Sequence, residues 1–355
     1  MNNHILTNNK RIHAFHALGE YMQMCPATLR QQIELASLQN SWFTPAYIQQ
    51  AVQAIAANLT TDKLQAWLSP YTDAIEQVTP KTVGLILAGN IPLVGFHDIL
   101  TALIAGFNVQ IKLSSDDKQL IPHLLNKLIE IAPDFQSAIA YVDRLKDFDV
   151  IIATGSNNTA RYFEYYFKQV PHLIRKNRNS VAIVHGHEEA ADLQKLGHDL
   201  FDYFGLGCRN VSKIYFPEQY DFSRFFEAIE PFNEVIHHHK YHNNYDYNKS
   251  IYLVNGEQHL DNGFLLLKED ERLASPLAVV YYQTYQDLDD LLHTLEEQKD
   301  HIQCVVSNQA LQTTLPYFPL GHSQQPALDD YADGVNTLDF LIQNKSCFKQ
   351  KRSYP

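Results

Sequence analysis

Hydrophobic residues follow two different spacings along the chain. Up to about residue 80 they recur at helical intervals, as in Ile48, Val52, Ile55 and Leu59, and this predicts a mainly helical lead-in. Thr44-Pro45 is expected to begin this helix, because threonine caps a helix and proline fits its first turn. Beyond residue 80, short apolar runs alternate with helical patterns and favour buried parallel strands. The pattern therefore predicts an α/β fold.

This second part contains most of the predicted elements. Predicted strands cover residues 83–88, 108–113, 138–142, 149–153, 180–184, 213–216, 250–255, 278–282 and 301–307. Predicted helices cover 95–105, 120–131, 159–167, 188–203 and 287–298, and the tail at 329–348 is predicted to be a loop and a helix. Residues 83–113 form a strand, loop, helix and strand of the kind found in nucleotide-binding sheets, without the Gly-x-Gly-x-x-Gly fingerprint.

Two positions in the first half lie where such sheets bind ligands. Lys112 ends the second predicted strand, and Thr154-Gly155-Ser156 joins a strand to a helix. Ligands lie at the carboxyl ends of parallel strands, and helix N-termini attract anions. Lys112 can also be read as an ordinary exposed lysine, and the turn as simple helix capping.

Cys208 lies on a glycine-rich turn, Gly205-Leu206-Gly207-Cys208, between a predicted helix and a predicted strand. Glycine permits a tight turn and a close approach to the main chain, so nearby backbone N–H groups can receive an oxyanion. This is a suitable position for a nucleophile. The alternative is a small buried hydrophobic cysteine, which is the commoner use of a free thiol.

Two charged segments leave both a binding and a surface interpretation open. Residues 175–179, Arg-Lys-Asn-Arg-Asn, could hold a phosphate, although charge runs are usually solvated. Residues 237–242, His-His-His-Lys-Tyr-His, could bind a metal, but no His-Glu-x-x-His motif is present. We expect a polar surface loop there and no metal site.

Composition narrows the class of protein. The 355 residues are 45% hydrophobic and 12% aromatic, which supports a large core. A net charge of −12 argues against nucleic acid and anionic membrane surfaces as partners. The four cysteines are widely separated without a Cys-x-x-Cys pair, the first eleven residues lack an apolar signal core, and the apolar region at 91–113 is interrupted by polar residues. We therefore expect a cytoplasmic protein without a membrane segment.

Four segments, in this order, resemble the aldehyde dehydrogenase superfamily, and more closely its acyl-CoA reductase branch, which includes the fatty-acid reductase of bacterial bioluminescence. Residues 89–92, Gly-Asn-Ile-Pro, are similar to the superfamily's Asn-x-Pro loop, and residues 109–114 to its Val-x-x-Lys-Pro-Ser strand. Residues 153–156 resemble Phe-Thr-Gly-Ser, and residues 205–208 resemble Gly-Gln-x-Cys. A weaker similarity lies at Ser275-Pro276-Leu277. The resemblance covers roughly residues 80–310.

The resemblance implies a fold of two open-sheet α/β domains with the cysteine at the interdomain cleft. It implies a helical lead-in and cofactor domain at 1–180, a catalytic domain at 181–325 and an extension at 326–355. Cys208 would attack an acyl thioester, with the side chain of Asn90 as an oxyanion donor. Lys112, Ser114, Ser115 and the Thr154-Gly155-Ser156 turn would bind the nicotinamide cofactor. The substrate would be an acyl-CoA, with coenzyme A or a carrier protein as the acyl carrier.

Departures from the superfamily pattern refine this expectation. The hydrolysing dehydrogenases have Glu-Leu-Gly-Gly-Lys where this chain has residues 175–179, so the glutamate that activates water is missing. Ser115 stands where NAD-preferring members often carry an acidic residue, which together with Lys112 favours NADPH, with NADH as the other possibility. The superfamily usually forms dimers through an extra hairpin, to which residues 250–267 could contribute, so a homodimer is expected.

Other functions remain open at this point. A cysteine-dependent acyltransferase or thioesterase would explain Cys208 but not Lys112 or the Thr154 turn. A catalytically silent binding protein on the same fold would need no reactive thiol. Reduction of an acyl phosphate is a further option within the same chemistry. The sequence does not specify the length of the acyl chain.

Overall fold

The computed structural model describes residues 6–76 and 81–345, apart from the side chain of Asn157. Cys347 and the end of the predicted tail lie outside the described residues. The chain divides into two compact units. The first contains the described residues up to Lys176, together with Ala327–Tyr331 and the described residues from Val335 onward; the second contains Asn177–Pro326 and Ala332–Gly334.

The described residues before the first strand form five α-helices, as the lead-in pattern predicts. They are α1 Asn8–Met24, α2 Ala27–Gln39, α3 Pro45–Ala56, α4 Thr61–Leu68 and α5 Thr72–Glu76. Helix α3 begins as predicted: the Thr44 hydroxyl accepts a hydrogen bond from the Tyr47 N–H (3.2 Å), and Pro45 occupies the first turn.

The first unit continues with a five-stranded sheet in the order β3-β2-β1-β4-β5, in which every pair of neighbours is parallel. Its elements are β1 Thr82–Ile86, α6 Phe96–Ile104, β2 Asn108–Lys112, α7 Leu120–Ile131, β3 Ile139–Tyr141, β4 Val150–Thr154, α8 Asn157–Phe167, β5 His172–Arg175 and, near the C-terminus, α13 Thr337–Gln343. Gly106 ends α6 with a φ of 86°, which glycine adopts without strain. Strand β5 was not predicted.

The core of the first unit lies between this sheet and helices α1, α3, α6 and α7. Phe15, Phe96 and Ile111 are among its fully buried side chains. Two buried cations, Arg11 and Lys345, contact the backbone of Ile75, a residue of this core. Arg11 and Lys345 both donate to the carbonyl oxygen of Ile75, at the C-terminal end of α5, and burial lowers the pKa of Lys345 to about 8.

The second unit contains a seven-stranded sheet in the order β12-β11-β6-β7-β10-β9-β8, parallel except for the β8–β9 pair. Its elements are β6 Asn179–Ile183, α9 Ala190–Phe201, β7 Val211–Pro217, α10 Phe222–Ile229, α11 His239–Asn255, β8 Leu260–Asp261, β9 Leu266–Glu269, β10 Val279–Tyr285, α12 Leu288–Glu297, β11 Ile302–Val306 and β12 Tyr317–Phe318.

The central strands of this second sheet are buried on both faces, which explains why they are apolar on both sides. Val181 and Ile183 pack in one cluster with Leu295 of α12. On β7, the ring of Phe216 lies 5.7 Å from that of Phe225 of α10.

One predicted strand in this unit is wrong. Residues 250–255 belong to α11, and Gly256, with a φ of 67°, ends that helix. The apolar run at 251–254 lies on a helix that leaves Leu253 and Val254 exposed. An antiparallel pair does follow, since β8 pairs with β9. In the part of the chain that the structure describes, no helix is both long and apolar enough to cross a bilayer.

Candidate active site

Cys208 occupies a closed turn between α9 and β7. The N–H of Asn210 donates to the carbonyl oxygen of Gly207 (3.0 Å), which makes Gly207–Asn210 a β-turn. In the reverse direction, the N–H of Gly207 donates to the side-chain oxygen of Asn210 (2.8 Å). Cys208 is the second residue of this turn and is half-buried.

The approach to this turn has an unusual backbone conformation. Tyr203, Phe204 and Gly205 are consecutive residues with φ angles of 53°, 57° and 77°. Positive φ is costly for bulky side chains, and such strain collects at functional sites. The ring of Phe204 packs against that of His238, with 4.2 Å between the centroids.

Ser180 and Cys304 lie behind the Cys208 backbone. The Ser180 hydroxyl donates to the carbonyl oxygen of Cys208 (3.0 Å) and lies 3.1 Å from the sulfur of Cys304. Cys304 on β11 is fully buried, as its position in an apolar strand predicts, and burial raises the pKa of its thiol to about 12. Of these two cysteines, Cys208 is the one that retains access to solvent.

A cavity of about 180 Å³ lies beside the turn. Gly205, Leu206 and Gly207 form one wall, and apolar side chains from several elements form the rest. These side chains are Leu200, Phe201, Phe204, Val211, Tyr241, Leu265, Leu277, Val279 and Val280. The polar residues Asn179, Asn210, Ser212 and Ser275 also line it. The cavity can hold a small group that has both apolar and polar parts.

In the first unit, the predicted cofactor residues lie along one edge of the sheet. Lys112 pairs in register with Ile86, and Ile86 pairs in register with Ala153 on its other side. The carboxyl ends of β2, β1 and β4 are therefore adjacent, and the chain order reverses between β1 and β4. Such a switch point is where open parallel sheets bind ligands. Lys112 is exposed there, and Thr154 is half-buried.

The loop that carries Asn90 packs against the loop after β2. A Cβ atom on Gly89 would lie 2.4 Å from the hydroxyl oxygen of Ser114, so only glycine fits there. Asp117, which is buried, accepts hydrogen bonds from the N–H of Leu93 (3.0 Å) and from that of Leu120 (3.3 Å). One carboxylate thus connects the Asn90 loop to the first turn of α7. Asn90 itself is exposed.

The Thr154-Gly155-Ser156 turn leads into the N-terminus of α8. The Ser156 hydroxyl accepts a hydrogen bond from the N–H of Thr159 (3.3 Å), so this serine caps the helix. The capping interpretation is therefore correct. It leaves the anion-binding one open, because a capped N-terminus still presents other N–H groups and a positive dipole.

The residue after Ser115 is acidic, and the prediction of NADPH did not take it into account. The Ser115 hydroxyl donates to the carboxylate of Asp116 (3.4 Å), and both residues are exposed. A carboxylate one residue from Ser115 weakens the argument for NADPH, because that argument depends on the lack of an acid there.

The basic residues at 175–179 have structural partners, which argues against a phosphate site, although Lys176 is exposed, as the solvated interpretation expects. Arg175 is buried and donates to Asp98 (2.6 Å) and to Thr337 (2.9 Å). Lys176 pairs with Glu164 (2.7 Å). Arg178 lies 3.6 Å from Asp333 and donates to the carbonyl oxygen of Ile302.

The histidine run at 237–242 is not a loop, contrary to the prediction. His238 caps α11 by accepting from the N–H of Tyr241 (3.4 Å), and His239 to His242 form the first turn. His242 pairs with Asp246 one turn later (3.2 Å). Within residues 6–76 and 81–345, no group of three or more His, Cys, Asp or Glu side chains is placed to hold a metal ion.

Lys213 lies on β7, five residues after Cys208, and was not predicted to have a function. Its side chain is fully buried, and its ammonium donates to the carbonyl oxygen of Glu271 (2.7 Å) and to Gln283 (2.5 Å). Burial lowers the pKa of Lys213 to about 8. Lys213 thus anchors the segment after β9, which continues to the cavity-lining residues Ser275 and Leu277.

Comparisons with known proteins identify the family and the fold of the chain. The family described as "Acyl-CoA reductase (LuxC)" matches residues 7–221. No curated protein matches the chain. Among solved structures, aldehyde dehydrogenase 21 from Physcomitrella patens, in complex with succinate, is 10% identical; the match covers 96% of this chain and 85% of that one, with a TM-score of 0.65.

Two further structures show the same fold. The Mycobacterium tuberculosis aldehyde dehydrogenase in complex with NAD+ is 13% identical over 82% of this chain and 71% of that one, with a TM-score of 0.58. A putative aldehyde dehydrogenase from Burkholderia cenocepacia is 14% identical over 81% and 71%, with a TM-score of 0.59. The chain therefore has the aldehyde dehydrogenase fold and belongs to the acyl-CoA reductase (LuxC) family.

Proposed function

We propose that this protein reduces an acyl thioester, an acyl-CoA, to an aldehyde through an acyl intermediate on Cys208. Family membership and fold support an acyl-reductase function in general terms. The observation that carries the specific proposal is the Gly207–Asn210 turn, which holds the half-buried Cys208 on a fixed, backbone-rich loop beside a cavity that Gly207 and Asn210 line.

In this mechanism the Cys208 thiolate attacks the carbonyl carbon of the thioester. The new carbon–sulfur bond forms as the carbonyl π electrons move to oxygen. Coenzyme A then leaves as a thiolate, which takes up a proton. The N–H of Cys208 and the Asn90 side chain are the proposed oxyanion donors, and one such donor contributes about 3 kcal/mol. The role of Asn90 rests on its family motif.

The residues at the carboxyl edge of the first sheet suit a dinucleotide. A lysine, several hydroxyls and a helix N-terminus are the groups that bind phosphate and ribose. We propose that Lys112, Ser114, Ser115, Thr154, Gly155 and Ser156 bind NADPH, with NADH as the alternative that Asp116 favours. When bound, this cofactor supplies a hydride to the acyl carbon. Cys208 then departs as the thiolate when the aldehyde is released.

The segment at 175–179 supports reduction over hydrolysis. Its cations are engaged with Asp98, Glu164 and Asp333, and it contains no carboxylate that could activate water. An acyl-enzyme is therefore not discharged to a free acid by a base at this position. A homodimer, a carrier or acyl-transferring partner protein and the division at residues 180 and 325 remain parts of the proposal.

The proposal predicts that Cys208→Ala abolishes aldehyde formation from acyl-CoA and NADPH, because no other group at the turn can form the thioester. Activity is measured by the loss of NADPH absorbance and by aldehyde trapping. Cys304→Ala is the matched control, since it removes a buried thiol and should retain activity. Full activity of Cys208→Ala would refute the assignment. Thioesterase activity without NADPH binding would support the acyltransferase or thioesterase alternative.

A further inference from the structure

Asn210 lies at the centre of a hydrogen-bond group that has no assigned role. Its side chain is 4% exposed. The amide nitrogen donates to the carbonyl oxygens of Asp199 (3.1 Å) and Asp202 (2.9 Å), and the amide oxygen accepts from the N–H of Gly207 (2.8 Å). The three partners of the Asn210 side chain are all backbone groups, and they belong to one continuous segment, residues 199–207.

That segment contains the strained residues before the nucleophile. Asp199 and Asp202 precede Tyr203 and Phe204, and Gly207 follows them. A bulky residue at positive φ is strained and persists only where its surroundings fix the backbone. The Asn210 amide spans the strained residues from both sides, so it can hold them in place.

Ser180 holds the other side of the cysteine. Its side chain is fully buried, and its hydroxyl donates to the carbonyl oxygen of Cys208. The peptide group before Gly207 is therefore bonded to the Asn210 amide, and the peptide group after Cys208 is bonded to Ser180. Two buried side chains, one at the end of the turn and one on β6, fix the backbone on both sides of the thiol.

We propose that Asn210 is the positioning residue of the nucleophile, with Ser180 as its second support; this rests on the proposed function, which makes Cys208 the nucleophile. Only an amide supplies the two donors and the acceptor that the three contacts need. Aspartate keeps the acceptor toward Gly207 but places an oxygen against two carbonyl oxygens. Asparagine at this position therefore has a specific chemical reason.

The test compares Asn210→Ala, Asn210→Asp and Ser180→Ala with the wild-type protein. Two assays are used. The first gives kcat and KM for acyl-CoA reduction; the second gives the rate of Cys208 alkylation by iodoacetamide against pH, with the labelled peptide identified by mass spectrometry. A displaced nucleophile lowers kcat by about 10- to 100-fold. We also expect the alkylation rate and its pH midpoint at Cys208 to change, with KM for NADPH unaltered.

Asn248→Ala is the matched control. Asn248 is a buried asparagine of the same unit whose amide nitrogen also donates to two carbonyl oxygens, those of Asn244 and Leu277 (both 2.9 Å). We expect it to lose comparable thermal stability and to keep the wild-type alkylation profile. The inference is overturned if Asn210→Ala and Ser180→Ala keep both kcat and the alkylation profile, or if Asn248→Ala changes them equally.

The alkylation measurement separates this inference from the proposed function. If Cys208→Ala keeps acyl-CoA reduction, the proposed function fails whatever Asn210 does. If Cys208→Ala is inactive but the Asn210 and Ser180 variants behave as wild type, only the positioning role fails. Should Asn210→Ala not fold, Ser180→Ala decides, because it removes a single hydroxyl.

Discussion

Asp199 is a single carboxylate on which hydrogen bonding and burial act in opposite directions. It accepts hydrogen bonds from the N–H groups of Gly321 (2.6 Å) and Ser323 (3.0 Å), which favour the ionised form. Its side chain is fully buried, which favours the neutral form, and burial dominates, so the pKa of Asp199 rises to about 6. Because its own carbonyl oxygen accepts from Asn210, this titration occurs next to the Cys208 turn.

The raised pKa predicts a pH-dependent stability that Asp199→Asn removes. Between about pH 4 and pH 6 the native state binds more protons at Asp199 than the unfolded state does. The stability that Asp199 contributes is therefore fully present below its unfolded-state pKa, and it is lost as the pH rises through about 6. We expect the difference in unfolding free energy, wild type minus Asp199→Asn, to fall by up to about 3 kcal/mol over this range.

Urea unfolding at several pH values measures this difference. Asp73→Asn, which changes an exposed aspartate of α5, supplies the baseline for removing one carboxylate. A difference that stays constant or grows from pH 4 to pH 7 would contradict the account.

At the scale of elements, local pattern predicted those that bury their own apolar residues. Helix α7 matches its predicted bounds, 120–131, because its apolar stripe is regular. Strands β1, β2, β6, β7 and β10 lie within a few residues of their predicted bounds, since buried parallel strands are apolar on both faces. The same reasoning predicted the burial of Cys304.

The errors arise where tertiary contacts outweigh local pattern. The apolar run at 251–254 looks like a strand, but it continues a helix that begins at the polar residue His239. Of the run, the helix buries Tyr252, together with Tyr241 and Tyr245 of its earlier turns. Strand β5 was missed because only Arg175, a charged residue, is buried in it. Its pairing with Asp98 comes from an element 77 residues away and is invisible in local sequence.

The candidate site shows the same division. The position of Cys208 on a tight turn follows from the glycines, whereas the roles of Asn210 and Ser180 depend on contacts over 3 to 28 residues. A polar residue two positions after the cysteine was the available signal for Asn210. Asp117 was missed because it accepts a hydrogen bond from the backbone N–H of Leu93, and every residue type except proline offers such a donor.

The α8 cap allows a test of the proposed cofactor site. Ser156→Ala removes a hydroxyl that caps α8, and such a loss costs about 1 kcal/mol of stability. We expect the same variant to weaken NADPH binding several-fold, because it also removes a proposed phosphate partner. The measurement is NADPH affinity by calorimetry together with thermal unfolding.

Thr44→Ala is the control for the α8 variant. Thr44 caps α3 through the same contact, to the N–H three residues later, and lies in the helical lead-in. It should lose similar stability and keep the wild-type NADPH affinity. Unchanged NADPH affinity in Ser156→Ala would remove this serine from the cofactor site.

For the whole molecule, family and fold indicate acyl-group chemistry. The departures from the superfamily pattern favour reduction of the acyl group over its hydrolysis. Each unit holds one part of the proposed reaction: a dinucleotide edge in the first and the Cys208 turn in the second. The segment at 175–179, where the hydrolysing dehydrogenases carry a glutamate, contributes ion pairs instead. The combination fits an enzyme whose acyl intermediate is reduced by hydride and is not hydrolysed by water.

The most direct measurement is mass spectrometry of the protein mixed with acyl-CoA in the absence of a nicotinamide. We expect one acyl group per chain on the peptide that contains Cys208, with an equal amount of coenzyme A released. Adding NADPH should then remove the adduct and yield an equal amount of aldehyde; NADH serves as the comparison. No adduct on Cys208, or an adduct that NADPH and NADH both leave in place, would contradict the account.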